Sequence, residues 1–240
     1  MPLILLDHTA ESLDANLALD EALLLAAEAG EGGEVLRFWE WPGHAVVLGA
    51  GGSVAIDVNE GACRADGVTL HRRASGGGTV LLGRGCLLFS LVLAYDRAAE
   101  LRDVTASYRW VLGRLRDALR SVAQLEPVGI SDLAWTGRKA SGNAQQRKSR
   151  HVLHHGSLLY DFDLAVVARY LRPPEREPAY RGGRAHDQFL TNLPADAGTL
   201  KRLLTDTFLA VPGEVDPWAR EQVPGLVEGK YRTAEWVRRR

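Results

Sequence analysis

Residues 68–82, Val-Thr-Leu-His-Arg-Arg-Ala-Ser-Gly-Gly-Gly-Thr-Val-Leu-Leu, set an arginine pair and a glycine triplet between two β-type runs, VTLHRR (68–73) and GTVLL (78–82). A third run, CLLFSLVL (86–93), follows closely and is apolar enough to lie at the centre of a sheet, covered on both faces. Three glycines let the backbone approach a ligand closely and offer N–H groups to an anion. The arginines add charge and bidentate hydrogen bonds to carboxylate or phosphate. The segment therefore reads as an anion-binding loop, and the competing reading is a flexible hairpin loop with two solvated arginines. No GxxxxGK[ST] occurs, and neither the triplet nor Gly49-Ala50-Gly51-Gly52 completes GxGxxG ahead of a helix.

Upstream, Leu13, Leu17, Leu24 and Leu25 recur at helical spacing from Ser12 to about Glu28, with Asp14, Glu21 and Glu28 on another face and Ser12 as N-cap. VLRFWEW (35–41) and AVVLG (45–49), separated by Pro42-Gly43, read as a hairpin. Downstream, Val104, Tyr108, Val111, Leu112, Leu115, Leu119 and Val122 predict a second long helix over 103–123. DLAWTGRKASGNAQ and HVLHHGSLLYDF form strand-like segments around a polar turn, Gln146 to Ser149. A short helix at 163–170, a long loop at 173–186 and a helix capped by Thr199 follow, and proline-broken sequence runs on to a solvated Arg238-Arg239-Arg240 tail. Helix, strands, helix, strands and helices in that order predict an α+β domain with a mainly antiparallel sheet.

The 240 residues are 46% hydrophobic, enough for one domain spanning 1–240. With 29 basic and 30 acidic residues the chain carries no footprint of a nucleic-acid or membrane-surface binder. Cys63 and Cys86 lie far apart without metal-ligand spacing, and no apolar stretch approaches the roughly 20 residues that span a bilayer. A cytoplasmic protein with no nucleic-acid or membrane partner is expected.

A second segment, Gly137-Arg138-Lys139-Ala140-Ser141-Gly142-Asn143-Ala144-Gln145, surrounds a cation with small residues. A substrate could press against such a backbone while Lys139 held a carboxylate and a phosphate together. The competing reading is an exposed hairpin with a solvated lysine. His154 and His155 in LHHGSLL are strand neighbours that point to opposite faces, so they would not share one metal ion.

RRASGGGTV, SDLAWTGRKASGNAQ, LHHGSLL and Leu190-Thr191-Asn192-Leu193 occur in the order seen in lipoate-protein ligases, and Ala15 to Glu21 and FWEW–AVVLG resemble that family's first helix and strands. Over about residues 3–210 the chain resembles the lipoate-protein ligase A family of the biotin/lipoate protein ligase catalytic-domain superfamily. The resemblance implies that superfamily's fold, a mixed sheet flanked by helices. It also implies ATP- and Mg2+-dependent activation of lipoate or octanoate to an acyl-adenylate, then transfer to a lysine of lipoyl domains of 2-oxoacid dehydrogenase complexes or of glycine cleavage H protein. By the same resemblance, Lys139 bridges acyl carbonyl and α-phosphate, and Arg73, Gly78, Thr79, Val80 and Leu81 hold the adenylate. Arg72, Ser75, Gly76, Gly77, Asp132, Gly142, His155 and Asn192 line or position the substrate pocket, no protein ligand to a metal is assigned, and Val46, Val47, Leu48 and the strands around Val80 wall an acyl tunnel.

Three departures qualify the carry-over. Ala50-Gly51-Gly52-Ser53 replaces a polar pattern, Leu82-Gly83 replaces a histidine-aspartate pair, and the C-terminal accessory domain of many relatives is expected to be absent, with a separate accessory-domain chain as an expected partner. The alternatives are an octanoyl-[acyl carrier protein]:protein octanoyltransferase, which needs a cysteine nucleophile where Val152 or Val128-Gly129-Ile130 stand here, and a non-catalytic acyl- or carrier-binding module.

Overall fold

The computed structural model describes residues 2–175 and 177–239. Strand β1 (Ile4–Asp7) leads into helix α1 (Leu13–Ala29), followed by β2 (Val35–Glu40), β3 (Ala45–Leu48), the short helices α2 (Val54–Asp57) and α3 (Glu60–Asp66), β4 (Thr69–Arg72), β5 (Val80–Leu82) and β6 (Cys86–Ala94). Helix α4 (Val104–Ala118) precedes β7 (Leu125–Val128), β8 (Asp132–Trp135), β9 (Arg138–Arg147) and β10 (His151–Leu159). Then come α5 (Val167–Tyr170), α6 (His186–Phe189), α7 (Ala197–Phe208), β11 (Val211–Pro212), α8 (Pro217–Leu226) and α9 (Ala234–Val237). No described helix is long and apolar enough to cross a membrane.

The apolar run 86–93 is central because both of its faces are covered. In the eight-stranded sheet, ordered β11-β1-β2-β6-β10-β9-β8-β7, β6 pairs antiparallel with β2 and β10. Val92 faces Leu19, Leu23 and Ala26 of α1, whereas Leu91 and Leu93 face Val111, Leu112 and Leu115 of α4 and Leu200 and Leu204 of α7. The β11–β1 and β1–β2 pairs are parallel and the rest antiparallel, which makes the sheet mixed and mainly antiparallel within an α+β fold.

A second sheet, β4-β3-β5, corrects the hairpin expected at 35–49. Strand β2 already has β1 and β6 as neighbours, so no edge is left for β3. The Pro42-Gly43 turn instead hands the chain to another layer, where β3 pairs parallel with β4 and antiparallel with β5. The segment 132–147 is likewise not one strand. It is the β8–β9 hairpin, turned at Thr136 and Gly137, both at positive φ, and β9 and β10 then form the expected hairpin.

Three further expectations change. Helix α7 is capped by Asp196, whose Oδ1 accepts from the Thr199 N–H, so Thr199 lies inside the helix. The proline-broken C-terminal sequence is ordered and folds over the polar face of α1. Tyr231 and Lys230 bond to Glu21 at 2.6 and 2.7 Å, and α8 lies along α1. Nor is the arginine tail free: Arg238 pairs with Glu60 and Arg239 donates to the Ala50 carbonyl, while Arg240 lies outside the described residues.

Beneath α1, Arg37 is fully buried and its Nη1 meets Asp20 Oδ1 at 2.6 Å. The guanidinium also donates to the carbonyls of His8 and Asn16 and to Asn16 Oδ1. Burial alone would raise the Asp20 carboxyl, but Arg37, His155 and Ser90 together hold it below its ordinary value. On β10, the pleat sends His154 and His155 to opposite sides. His154 sits in the core by Phe89 and Tyr108, bonded to Gln145 and Asn143, and burial first, then the neighbouring His155, push its pKa down to about 3.

Two stability predictions follow from these groups. Arg37→Met leaves Asp20 as an uncompensated buried charge and should lower the unfolding free energy by about 3–5 kcal/mol, read from urea midpoints at pH 7. The unfolded chain binds a proton at His154 near pH 6.5 while the folded chain does so only near 3. Acidification from pH 6.5 to 4 should therefore cost about 1.4 kcal/mol per pH unit at this site. His154→Gln should lack that contribution, and parallel stability slopes for the two proteins would refute it.

Candidate active site

A cavity of about 160 Å3 lies where the two sheets face each other. Leu17 of α1, Trp39 of β2, Val47 of β3, Val80 and Leu82 of β5 and Leu88 of β6 make one end apolar. Arg73, Asp132, Lys139, Asn143, His155 and Ser157 make the other polar, with Gly77, Gly78 and Thr79 between. Trp39, Leu17 and Asn143 were not singled out from the sequence, although the alternation of β2 already puts Trp39 and Arg37 on one face. The same alternation limits the expected tunnel wall. Val47 faces the cavity, whereas Val46 and Leu48 point the other way into the core.

The arginine-glycine loop crosses the end of β3, because β4 and β5 flank that strand instead of pairing with each other. Arg73 N–H donates to the Leu48 carbonyl and Ala50 N–H to the Ser75 carbonyl, which fixes the crossing. The Arg73 guanidinium holds the loop from inside, donating to the carbonyls of Val47, Gly76 and Gly78 and to Ser75 Oγ. Gly77 is required by this arrangement: its φ is +89°, and a Cβ there would meet Arg73 Nη2 at 2.9 Å. Among the described residues no carboxylate forms an ion pair with Arg73, and burial pushes its pKa down to about 10. A buried cation without a counter-charge, lining a cavity, favours an anion there.

Arg72, expected in the substrate pocket, points elsewhere. Its side chain is fully buried and donates to the carbonyls of Gly49, Gly52 and Val237, tying the loop's base to the C-terminal segment. Trp236 returns a bond from its indole N–H to the Arg72 carbonyl.

Lys139 reaches the cavity from β9 beside a register shift against β8, with Leu133 opposite Ser141 but Ala134 opposite Lys139. Such a bulge re-aims a side chain. Lys139 Nζ lies 2.8 Å from Asp132 Oδ1, and Asp132 Oδ2 accepts from the Tyr180 hydroxyl at 2.8 Å. Gly142 makes room for it, since a Cβ there would fall 2.8 Å from Lys139 Nζ. Thr191 N–H donates to the Lys139 carbonyl, so the Leu190 to Leu193 motif pins the lysine's backbone. Asn192 donates from its side-chain amide to the Phe162 carbonyl and accepts from the Phe162 N–H, and it is not part of the cavity lining.

Across the cavity, His155 Nε2 meets Ser75 Oγ at 2.6 Å and Nδ1 meets Asp20 Oδ2 at 3.3 Å. Ser75 and Gly76 thus support the loop from behind, while Gly77 and Gly78 face the cavity. A second cavity, of about 120 Å3, shares Thr79, Val80, Lys139, Gly142 and Ser157 with the first and continues past Leu81 to Arg181, His186 and Phe189. The 173–186 loop is therefore partly built into the molecule, with Arg181 buried beside Glu177 and over the Phe189 ring.

The family model for the lipoyl protein ligase A/B catalytic domain matches residues 12–205. A Mycoplasma pneumoniae protein named probable lipoate-protein ligase A is 32% identical over 197 residues, covering 81% of this chain and 55% of its own length. The chain thus spans about half the length of that relative. The octanoyltransferase LipM of Symbiobacterium thermophilum is 28% identical over 267 residues, covering 94% of each. A bi-partite lipoate protein ligase from Thermoplasma acidophilum, analysed with its E2 lipoyl domain, shares the fold at a TM-score of 0.84, with 23% identity over 99% of this chain and 96% of that one. The chain belongs to the lipoyl protein ligase A/B catalytic-domain family.

Proposed function

We propose that this chain is an ATP-dependent lipoate-protein ligase, which joins lipoate or octanoate to AMP and passes the acyl group to a lysine of a lipoyl carrier domain. The observation that carries the reading is the pair of cations, Arg73 and Lys139, at the polar end of a cavity whose other end is apolar. The apolar end suits an acyl chain of lipoate or octanoate length, and the polar junction suits its carboxylate beside the nucleotide's α-phosphate. Both are anions, which fits an arginine that has no carboxylate partner among the described residues. Gly77, Gly78 and Thr79 offer the close backbone approach that phosphates need.

In the first step a carboxylate oxygen attacks the α-phosphorus, the α–β phosphoanhydride bond breaks and pyrophosphate leaves. In the second the acceptor amine attacks the acyl carbon, the C–O bond to AMP breaks and the amine loses a proton. Negative charge grows on the phosphoryl oxygens and then on the carbonyl oxygen. Lys139 stands on both routes as a fixed cation, and the bulge that aims it and Asp132 that orients it make its ammonium preorganised. Mg2+ bound to the triphosphate would neutralise part of its charge, and Asp132, the carboxylate in the lining of the first cavity among the described residues, would be the side chain able to hold it. Partners of the lipoyl-domain class, from 2-oxoacid dehydrogenases or glycine cleavage H protein, present the acceptor lysine.

The octanoyltransferase reading needs a thiolate at the cavity. Neither cysteine lines either cavity, and burial pushes the Cys86 thiol up to about 12 and raises Cys63 as well. That chemistry favours the ligase over the transferase despite the full-length likeness to LipM.

Incubation of apo lipoyl domain with lipoate, ATP and Mg2+ should add a lipoyl mass to the domain, and octanoyl-carrier protein without ATP should add nothing; the reverse pattern overturns the reading. Lys139→Ala should lower kcat/KM about 10²–10³-fold while circular dichroism shows the protein still folded.

A further inference from the structure

One exposed apolar side chain stands beside the first cavity with no part in either chemical step. Ile130, at the turn between β7 and β8, is 71% exposed. Single apolar residues are common on protein surfaces, so its place decides its meaning. The next two residues, Ser131 and Asp132, line the cavity, and Asp132 Oδ1 lies 2.8 Å from Lys139 Nζ. The other large apolar side chains exposed among the described residues, Ile56, Val104, Leu209 and Val211, adjoin no residue of this lining.

The turn is also held in place. Asn143 donates to the Ser131 carbonyl from both its backbone and its side-chain N–H groups, and the Tyr180 hydroxyl donates to Asp132. Gly129, at a φ of +59°, brings the backbone against the 178–180 segment, where a Cβ would lie 3.7 Å from Pro178 and 4.0 Å from Tyr180. Ile130 is therefore displayed from a fixed backbone, and covering it costs little further ordering.

In the transfer step an amine of a folded domain must reach the acyl carbon at Lys139. An extended lysine side chain spans only about 6 Å from Cα to Nζ, so the acceptor's backbone has to come down to the rim of the cavity. The acyl chain fills the apolar end, which leaves the polar end as the way in. Ile130 Cα can lie no more than about 7 Å from that of Asp132, which puts it on this rim.

We infer that the β7–β8 turn belongs to the surface on which the domain bearing the acceptor lysine docks, with Ile130 as an apolar anchor that meets an apolar residue beside that lysine. The inference rests on the ligase reading and adds the partner's landing surface to it. Ile130 acts through contact with the acceptor domain, not with the acid or the nucleotide, so it bears on transfer and not on adenylate formation.

Two assays separate those steps: steady-state transfer to apo lipoyl domain, and lipoate-dependent exchange of labelled pyrophosphate into ATP without acceptor. Ile130→Ser should raise the KM for the domain about tenfold or more while leaving the exchange rate within about twofold of wild type. Ile130→Leu keeps the apolar contact and should stay within about threefold of wild type in both assays. Leu209→Asn makes a similar change on β11's side of the large sheet, at a positive φ that asparagine tolerates, and should alter neither. A wild-type KM for the domain in Ile130→Ser, an exchange rate that falls as far as transfer does, or an equal loss in Leu209→Asn overturns the assignment. If that happens while wild type exchanges and transfers, only the docking role falls. No exchange and no ATP-driven transfer by wild type removes the ligase reading and this inference together.

Discussion

The buried contact between Arg37 and Asp20 is the joint on which the site hangs. A charge pair removed from water survives only when its remaining donors and acceptors are also satisfied. Here the loop before α1, the helix itself and β6 all contribute, through His8, Asn16 and Ser90. Asp20 Oδ2, which accepts from Ser90, also faces His155, and His155 faces Ser75 in the arginine-glycine loop. A continuous polar chain thus runs from the centre of the large sheet to the loop on the small one. It sets the separation of the two sheets, and the cavity is the space between them.

The loop is held from both ends by arginines with different tasks. Arg72 ties its base to carbonyls of residues 49–52 and of the C-terminal segment, while Arg73 fills its interior and faces the cavity. Consecutive residues on an extended backbone point to opposite sides, so one arginine of the pair was bound to be architectural. Lys139 is held independently, by a bulge, a carboxylate and a backbone bond from Thr191. The two cations are brought together only by the packing of the sheets.

Much of the fold was legible in local pattern. The Ser12 cap, the apolar run of β6, the stripe of α4 and the β9–β10 turn are short-range features whose physics acts within a few residues. The misreadings share one cause. The 35–49 hairpin failed because strand partners are chosen by which edges are free, and the C-terminal segment looked broken because prolines at 217 and 224 are compatible with a helix that starts at one and docks on α1. The burial of Glu21 was not legible locally, because Lys230 and Tyr231, which bond to it, lie more than two hundred residues away.

By itself the sequence determined the secondary-structure alternation, the α+β class, the presence of an anion-suited loop and a lysine among small residues, and through those motifs the family. These depend on neighbours along the chain. Tertiary structure alone decided that Arg73 and not Arg72 faces the cavity, that Val47 and Trp39 wall it while Val46 and Leu48 do not, and that Tyr180 meets Asp132 and His186 lines the adjoining cavity from far along the chain. Those outcomes depend on which faces meet when two sheets pack, a long-range condition that no window of residues contains.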